Sequence, residues 1–140
     1  MIFEGKSKCP VDAPIVVCAE NKNRHILNNP TRLKVYKYQI DGDILNDSDS
    51  EKCDYIIEVE TSGKPTVFVI ELKGSDIKKA ISQISSTINR YNLTSSYNVR
   101  PRIIIHKART QKVHDSAYRN FIRLFPDTIL KEIKYEETVR

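Results

Sequence analysis

The sequence predicts a single α/β domain over residues 1–140 in which a mixed central sheet is flanked by helices. Three observations predict this class. A strand hairpin spans residues 53–73, an amphipathic helix follows it directly over residues 75–92, and a further strand lies over residues 100–106. The hairpin and the further strand would form a sheet, and the amphipathic helix would cover it.

Composition limits the classes of protein that the chain fits. Its 140 residues allow one compact core, and 39% hydrophobic with 29% charged residues is typical of a globular domain. Three cysteines without a C-x-x-C pair predict neither a disulfide framework nor a zinc site. Neither a signal-peptide pattern nor an apolar run of ~18 residues is found, so we expect a cytoplasmic protein without membrane contact. The net charge of +5 favours a polyanionic partner.

The first elements are predicted from turn and cap residues. Residues 1–11 are expected to form an irregular arm. Asp12 is a suitable N-cap and Pro14 lies in the first helical turn, so residues 12–29 are interpreted as a helix. The β-branched run "IVV" within this segment would equally begin a strand.

The next segment is interpreted as a strand and a loop. Residues 32–40 are predicted to form a strand, and the acidic residues 41–52 are predicted to form a loop. Tyr36 and Tyr38 in this strand fit core packing and also fit stacking on nucleic-acid bases.

The hairpin has a defined register. Ser62-Gly63 is suited to a two-residue turn between the strand-like residues 53–60 and 65–73. In that register Asp54 lies opposite Glu71. One face of the ribbon is then apolar and carries Cys53, Tyr55, Ile57, Val59, Phe68, Ile70 and Leu72. The other face brings Asp54, Glu71 and Lys73 together at one end.

Helical periodicity and terminating residues define the remaining elements. Ser75 or Asp76 caps the helix that follows the hairpin. Its apolar stripe consists of Ile77, Ala80, Ile81, Ile84, Ile88 and Tyr91. Residues 115–125 predict a second amphipathic helix that Pro126 stops, and residues 129–138 predict a final strand.

Glu71 and Lys73 end a strand that is apolar enough to be buried on both faces. Burying an unpaired charge costs several kcal/mol, so these side chains need a partner, a solvent opening or a function. An ion pair between Lys73 and Asp54 or Glu71 at an open strand end would satisfy that need without any function.

The pattern also resembles the PD-(D/E)XK nuclease superfamily. An aspartate across a hairpin, a Glu-x-Lys sequence that ends a buried strand and a helix bearing Gln83 carry this resemblance over residues 53–84. It implies a restriction-endonuclease-like core of the αβββαβ type that hydrolyses phosphodiester bonds in nucleic acid, DNA rather than RNA. One departure is Cys53, which stands where the family name has proline.

The resemblance implies a role for each residue of the motif. Asp54, Glu71 and the backbone carbonyl of Leu72 would bind Mg²⁺ or Mn²⁺, whose preferred ligands are oxygen atoms. Lys73 would orient the attacking water and offset the charge of the transition state. Gln83 matches a glutamine that many members carry near the active site, although a glutamine on a helix flank often has no role.

Two further carboxylates are weighed for the metal site. Glu20 matches an acidic residue that many members supply from a first helix. Glu58 lies on the same ribbon face as Asp54 and is a rival ligand, although it lies farther from the strand end.

Basic residues near the motif are the expected contacts to phosphates, and a homodimer that cuts both strands is the expected assembly. These basic residues are Lys78, Lys79, Arg90, Lys107, Arg109 and Lys112. Two alternatives stay open: a nuclease-like module that no longer cuts and binds nucleic acid or a protein, and an oligomeric structural or inhibitor protein.

Overall fold

The computed structural model describes residues 1–72, 74–106 and 116–140. In these residues the chain forms strands and helices whose order confirms the predicted α/β class and its mixed sheet. The elements are β1 (Ile15–Glu20), β2 (Asn23–Asn28), β3 (Val35–Gln39), β4 (Tyr55–Val59), β5 (Thr66–Glu71), α1 (Ile77–Arg90), α2 (Leu93–Ser96), β6 (Asn98–Ile105), α3 (Ser116–Leu124), β7 (Ile129–Glu132) and β8 (Lys134–Thr138).

The central sheet has the strand order β3-β4-β5-β6-β7. Its first three strands are antiparallel, whereas β5, β6 and β7 run parallel because α1 and α3 lie in the connections between them. The register predicted from the two-residue turn is confirmed, since Ile56 lies opposite Val69 and Glu58 opposite Val67. The strand and turn chemistry of this hairpin is therefore sufficient to place its residues.

The helix predicted over residues 12–29 is wrong, because this segment forms the hairpin β1–β2. Burial alternates along β1, where Val16 and Cys18 are buried while Ile15 and Val17 are exposed. The β-branched residues favour this extended conformation over a helix. Asn21, at the turn, has a φ of 54°, which asparagine tolerates better than most residues.

The single strand predicted over residues 129–138 is also corrected, because the chain divides at Ile133. Ile133 has a φ of 66°, which breaks the extended backbone between β7 and β8. Strand β7 continues the central sheet beside β6, whereas β8 pairs in parallel with β2. The second sheet therefore has the order β1-β2-β8.

The helices of the described residues lie on one face of the central sheet. On that face the described core residues include Ile56, Val69, Ile84, Ile103 and Phe121. The three-stranded sheet covers the other face, where the core residues include Val16, Leu27, Ile57, Phe68 and Ile104. The predicted cover of helices is thus replaced on this side by the β1–β2 hairpin and β8.

Cys53 departs from the predicted face of the ribbon. It packs in the helix-side core with Ile56 because the chain bends at Asp54 before β4 begins. The other members predicted for the apolar face, from Tyr55 to Leu72, do pack towards the second sheet.

The N-terminal arm is irregular, as predicted, and it is packed against the helix-side core. The ring of Phe3 lies edge-on to Tyr38, with 5.1 Å between ring centroids, and to Tyr91, with 4.9 Å. Tyr36 and Tyr38 are buried, so they belong to the core and are not available for stacking on bases.

Helix α1 confirms the prediction from periodicity. The Asp76 side chain accepts a hydrogen bond from the Lys79 amide and caps the helix. Its buried residues are Ile77, Ala80, Ile81, Ile84, Thr87 and Ile88. None of the helices in the described part of the chain has the length and apolar character needed to cross a membrane.

Candidate functional site

The carboxyl end of β5 borders a small cleft. Glu71 is the last residue of β5 and is 2% exposed. Together with Gly74, Asp76, Lys79 and Gln83 it lines a cleft of about 100 Å³. Gly74 has a φ of 77°, a conformation that glycine adopts without the strain a side chain would bring. This turn brings the start of α1 back beside Glu71.

Asp54 is fixed against the same strand end. Its carboxylate accepts a hydrogen bond from the Leu72 amide, with 2.7 Å between Oδ2 and N, and it is 3% exposed. The Asp54 amide donates to the Ile70 carbonyl over 3.0 Å. The Asp54 carboxylate therefore lies beside the peptide bond that links Glu71 to Leu72, where the hairpin register predicts it.

The Leu72 carbonyl, the predicted backbone ligand, has a partner that the sequence did not indicate. Asn23 donates from Nδ2 to this carbonyl oxygen at 2.5 Å and to the Ile104 carbonyl oxygen at 3.3 Å. A carbonyl oxygen has two lone pairs, so the hydrogen bond from Asn23 is compatible with a second ligand at the Leu72 carbonyl. The turn-forming sequence "ENKN" is the signal that would have indicated a hairpin here and brought Asn23 to the site.

Glu20 reaches this region on a strand instead of a helix. It is half-buried at the end of β1 and lies opposite Asn23 in the ladder. The Tyr55 hydroxyl donates to the Ala19 carbonyl over 3.4 Å and joins the end of β1 to β4. The hairpin thus carries Glu20 to the edge of the central sheet where Leu72 lies.

Thr87 joins α1 to the segment that carries Asp54. Its hydroxyl donates to the Gln83 carbonyl at 3.0 Å and accepts from the Cys53 amide at 2.9 Å. This buried bridge fixes the helix turn that bears Gln83 relative to the start of β4. Thr87 has no local signal in the sequence, because only its distant partner at Cys53 distinguishes it from the other polar residues of the helix.

Glu58 belongs to a different set of contacts. Its Oε1 accepts from the Tyr38 hydroxyl at 2.9 Å and from the Ile2 amide at 2.8 Å. Burial, followed by the hydrogen bond to Glu58, raises the pKa of Tyr38. The Glu58 carboxylate therefore anchors the N-terminal arm, which disfavours it as a rival metal ligand.

The residues predicted to contact phosphates differ in their position relative to the cleft. Lys78 and Lys79 are exposed in the first turn of α1, and Lys79 lines the cleft. Arg90 is exposed at the other end of α1 and donates to the Ser50 hydroxyl over 3.2 Å. The other three predicted contacts lie outside the described part of the chain, and they are Lys107, Arg109 and Lys112. Lys73, the predicted catalytic lysine, also lies outside it.

The strand end offers oxygen ligands and no thiolate. Burial raises the pKa of the Cys53 thiol, the Thr87 hydroxyl lowers it, and the charges of Glu71 and Asp54 raise it again. The thiol therefore stays protonated at neutral pH. Among residues 1–72, 74–106 and 116–140 no three His, Cys, Asp or Glu side chains form a group that could hold a metal ion. The predicted set is of another kind, because it combines two carboxylates with a backbone carbonyl.

Comparisons with protein-family models, with curated proteins and with solved structures find no match to this chain.

Proposed function

We propose that this chain is a metal-dependent nuclease that hydrolyses phosphodiester bonds in nucleic acid, with DNA as the preferred substrate. The observation that carries the proposal is the pair Asp54 and Glu71. These two carboxylates are almost fully buried at the carboxyl end of one central strand, beside a cleft that Gln83 and Lys79 also line. Buried ionisable side chains that border a cleft are found preferentially at functional sites, which supports a function for this pair.

A restriction-endonuclease-like core is the fold that we propose for it. The order β3-β4-β5-α1-β6, with an antiparallel meander and a parallel last strand, supports this assignment. The first helix of that core type is replaced by the β1–β2 hairpin, which supplies Glu20 at the same end of the sheet.

The donor set fits a hard divalent cation. Asp54, Glu71 and the Leu72 carbonyl would hold Mg²⁺ or Mn²⁺, with Glu20 as a further candidate. The bound cation would polarise the scissile phosphate and lower the pKa of a water molecule. The hydrogen bond from the Leu72 amide keeps the Asp54 carboxylate oriented towards the strand end.

The remaining roles would fall to Lys73 and to side chains of α1. Lys73 would position the attacking water and offset negative charge on the phosphate in the transition state. Gln83 and Lys79 line the cleft and would contact the substrate beside the reacting phosphate. The exposed side chains of Lys78 and Arg90 would hold phosphates farther along the strand.

The test is cleavage of supercoiled, linear, branched and single-stranded DNA and of RNA, with Mg²⁺ or Mn²⁺ against EDTA. We expect metal-dependent cutting that Glu71→Gln reduces at least ~100-fold. Glu60→Gln is the matched control, because Glu60 is exposed at the opposite end of the ribbon beside the hairpin turn. Equal rates in the two variants, or cutting that persists in EDTA, would contradict the proposal.

Metal binding is measured separately from turnover. Mg²⁺ should raise the melting temperature of the unmodified chain, because a ligand that binds only the folded state stabilises it, and Glu71→Gln should abolish the gain. Oligonucleotide binding without cutting on any substrate would favour the alternative, a nuclease-like module that binds nucleic acid or a protein without cutting.

A further inference from the structure

We infer that the tip of the β1–β2 hairpin forms a second subsite, which binds the sugar-phosphate backbone of a nucleic-acid strand next to the reacting phosphate. This inference rests on the proposed function. A second cleft, of about 260 Å³, lies at the hairpin tip. Its described lining residues are Asn21, Lys22, Asn23, Leu72, Gly74 and His106.

The second cleft adjoins the cleft that Glu71, Asp76, Lys79 and Gln83 line, which is the carboxylate cleft. Gly74 lines both, so they meet across the chain segment that leaves β5. The His106 amide donates to the Gly74 carbonyl over 3.3 Å, which places the end of β6 against the same segment. A strand with one phosphate beside Glu71 can therefore continue over Gly74 into the second cleft.

The two clefts differ in their charge. The described lining of the carboxylate cleft carries the acidic side chains of Glu71 and Asp76 and the basic side chain of Lys79. The described lining of the second cleft has no carboxylate, and it offers the exposed side chains of Lys22 and His106. An amine and an imidazole can neutralise or donate to a phosphodiester, so this chemistry suits a backbone phosphate.

Asn23 supplies an independent indication that a ligand group or a water enters here. It is 5% exposed, and both of its amide hydrogen bonds go to the carbonyls of Leu72 and Ile104. Its Oδ1 is buried and accepts no hydrogen bond from any described residue. A buried acceptor without a donor has an energetic cost in the folded state. A water molecule or a donor group of a bound nucleotide would remove that cost.

The position also explains why Asn23 contacts the Leu72 carbonyl. The same side chain lines the second cleft and fixes the carbonyl that is proposed as a metal ligand. A strand seated over the hairpin tip would therefore press on the residue that orients the metal site.

The experiment measures binding without turnover. The anisotropy of a labelled DNA oligonucleotide is titrated in EDTA over a series of salt concentrations for the unmodified chain, Lys22→Ala and His106→Gln. We expect Lys22→Ala to weaken binding several-fold and to reduce the slope of log K against log salt by about 1, the value for one lost phosphate contact. His106→Gln should weaken binding to a smaller extent.

Lys34→Ala is the matched control and should bind like the unmodified chain. Lys34 is exposed and precedes Val35, whose ladder partner Val59 lies next to the hairpin turn at the opposite end of the sheet. Unchanged affinity and salt slope in both Lys22→Ala and His106→Gln would overturn the inference, as would an unmodified chain that does not bind.

A second ligand distinguishes the binding of a nucleic-acid strand from the binding of free phosphate. Inorganic phosphate is titrated in place of the oligonucleotide, and we expect no saturable binding. Saturable phosphate binding that Lys22→Ala removes would overturn a nucleic-acid strand as the ligand. EDTA prevents metal-dependent cutting, so the binding assay does not depend on cleavage. Binding that depends on Lys22 would therefore support the subsite even if none of the nucleic acids tested is cleaved. Cutting without an effect of Lys22 would refute the subsite alone.

Discussion

Two clusters of buried charge lie on the central sheet, and they differ in access. The inter-sheet cluster consists of Arg102, Glu137 and His25 and lies between the two sheets. The strand-end cluster consists of Asp54 and Glu71 and lies beside a cleft. The first is enclosed between the sheets, whereas the second borders a cleft that Glu71 lines.

The inter-sheet cluster has the features of a stabilising ion pair. Arg102 donates from Nε and Nη2 to the two oxygens of Glu137, at 2.7 and 2.9 Å, and His25 Nε2 lies 2.6 Å from the same carboxylate. The Arg102 guanidinium also lies 5.4 Å from the ring centroid of Phe68. Bidentate geometry and a dense hydrogen-bond network are the conditions under which a buried ion pair is tolerated.

The strand-end cluster lies in a different environment. Asp54 accepts a hydrogen bond from the Leu72 amide, and Glu71 lines a cleft that is open to a ligand. The contrast teaches that burial of charge is not by itself a sign of function. The cleft beside Glu71 is the feature that distinguishes the cluster for which we propose a function.

The largest expected effect is on stability, from breaking the inter-sheet cluster. Arg102→Met should lower the free energy of unfolding by about 3–5 kcal/mol, because Glu137 keeps its charge and loses its main partner. Arg100→Met is the matched control, since Arg100 lies on the same strand, pairs with Asp127 over 3.2 Å and is 40% exposed. Arg100→Met should lower the free energy of unfolding, measured by urea denaturation, by less than about 1 kcal/mol. Equal losses would remove the distinction between the clusters.

Acid should weaken the same cluster. Burial would raise the pKa of Glu137, but the hydrogen bonds from His25 and Arg102 outweigh it and lower the pKa to about 2, from 4.5. A carboxyl group with a lowered folded-state pKa contributes stability above its unfolded pKa, and this contribution is lost as the pH falls towards 2. With allowance for solvent screening, the loss amounts to about 2 kcal/mol.

Glu137→Gln tests this assignment. The variant should be less stable at pH 6, and its stability should fall less steeply than that of the unmodified chain between pH 4.5 and pH 2.5. Urea midpoints across this range give the comparison. If the stability of Glu137→Gln and that of the unmodified chain fall in parallel as the pH decreases, other carboxylates are responsible for the acid sensitivity.

The smallest effect on stability is expected at the strand-end cluster. Asp54→Asn keeps an oxygen that can accept the hydrogen bond from the Leu72 amide, while it removes one of the two negative charges. We expect the free energy of unfolding to change by no more than about 1 kcal/mol, with loss of metal-dependent cleavage. A destabilisation as large as that of Arg102→Met would mark this cluster as structural too.

Local chemistry accounts for the parts of the site that the sequence predicted. The Ser62-Gly63 turn sets the register that brings Asp54 to the end of β5, and the helix that follows is encoded by its cap and its apolar period. These signals act over a few residues, so they can be read without the rest of the chain.

Other parts depend on contacts between distant segments. Residues 12–29 carry signals for both a helix and a strand. They form a hairpin because Val16, Cys18 and Leu27 then bury their side chains against the central sheet. The break at Ile133 likewise has no local signature, since it serves to move the chain from one sheet to the other.

The sequence by itself determined the α/β class, the hairpin register and the convergence of Asp54 and Glu71 at one strand end. Only the tertiary structure decided that a second sheet covers one face and that Asn23 contacts the Leu72 carbonyl. The physical reason is the range of the interactions: turns and caps form between near neighbours, whereas sheet packing and buried polar contacts join residues that only the complete fold brings together.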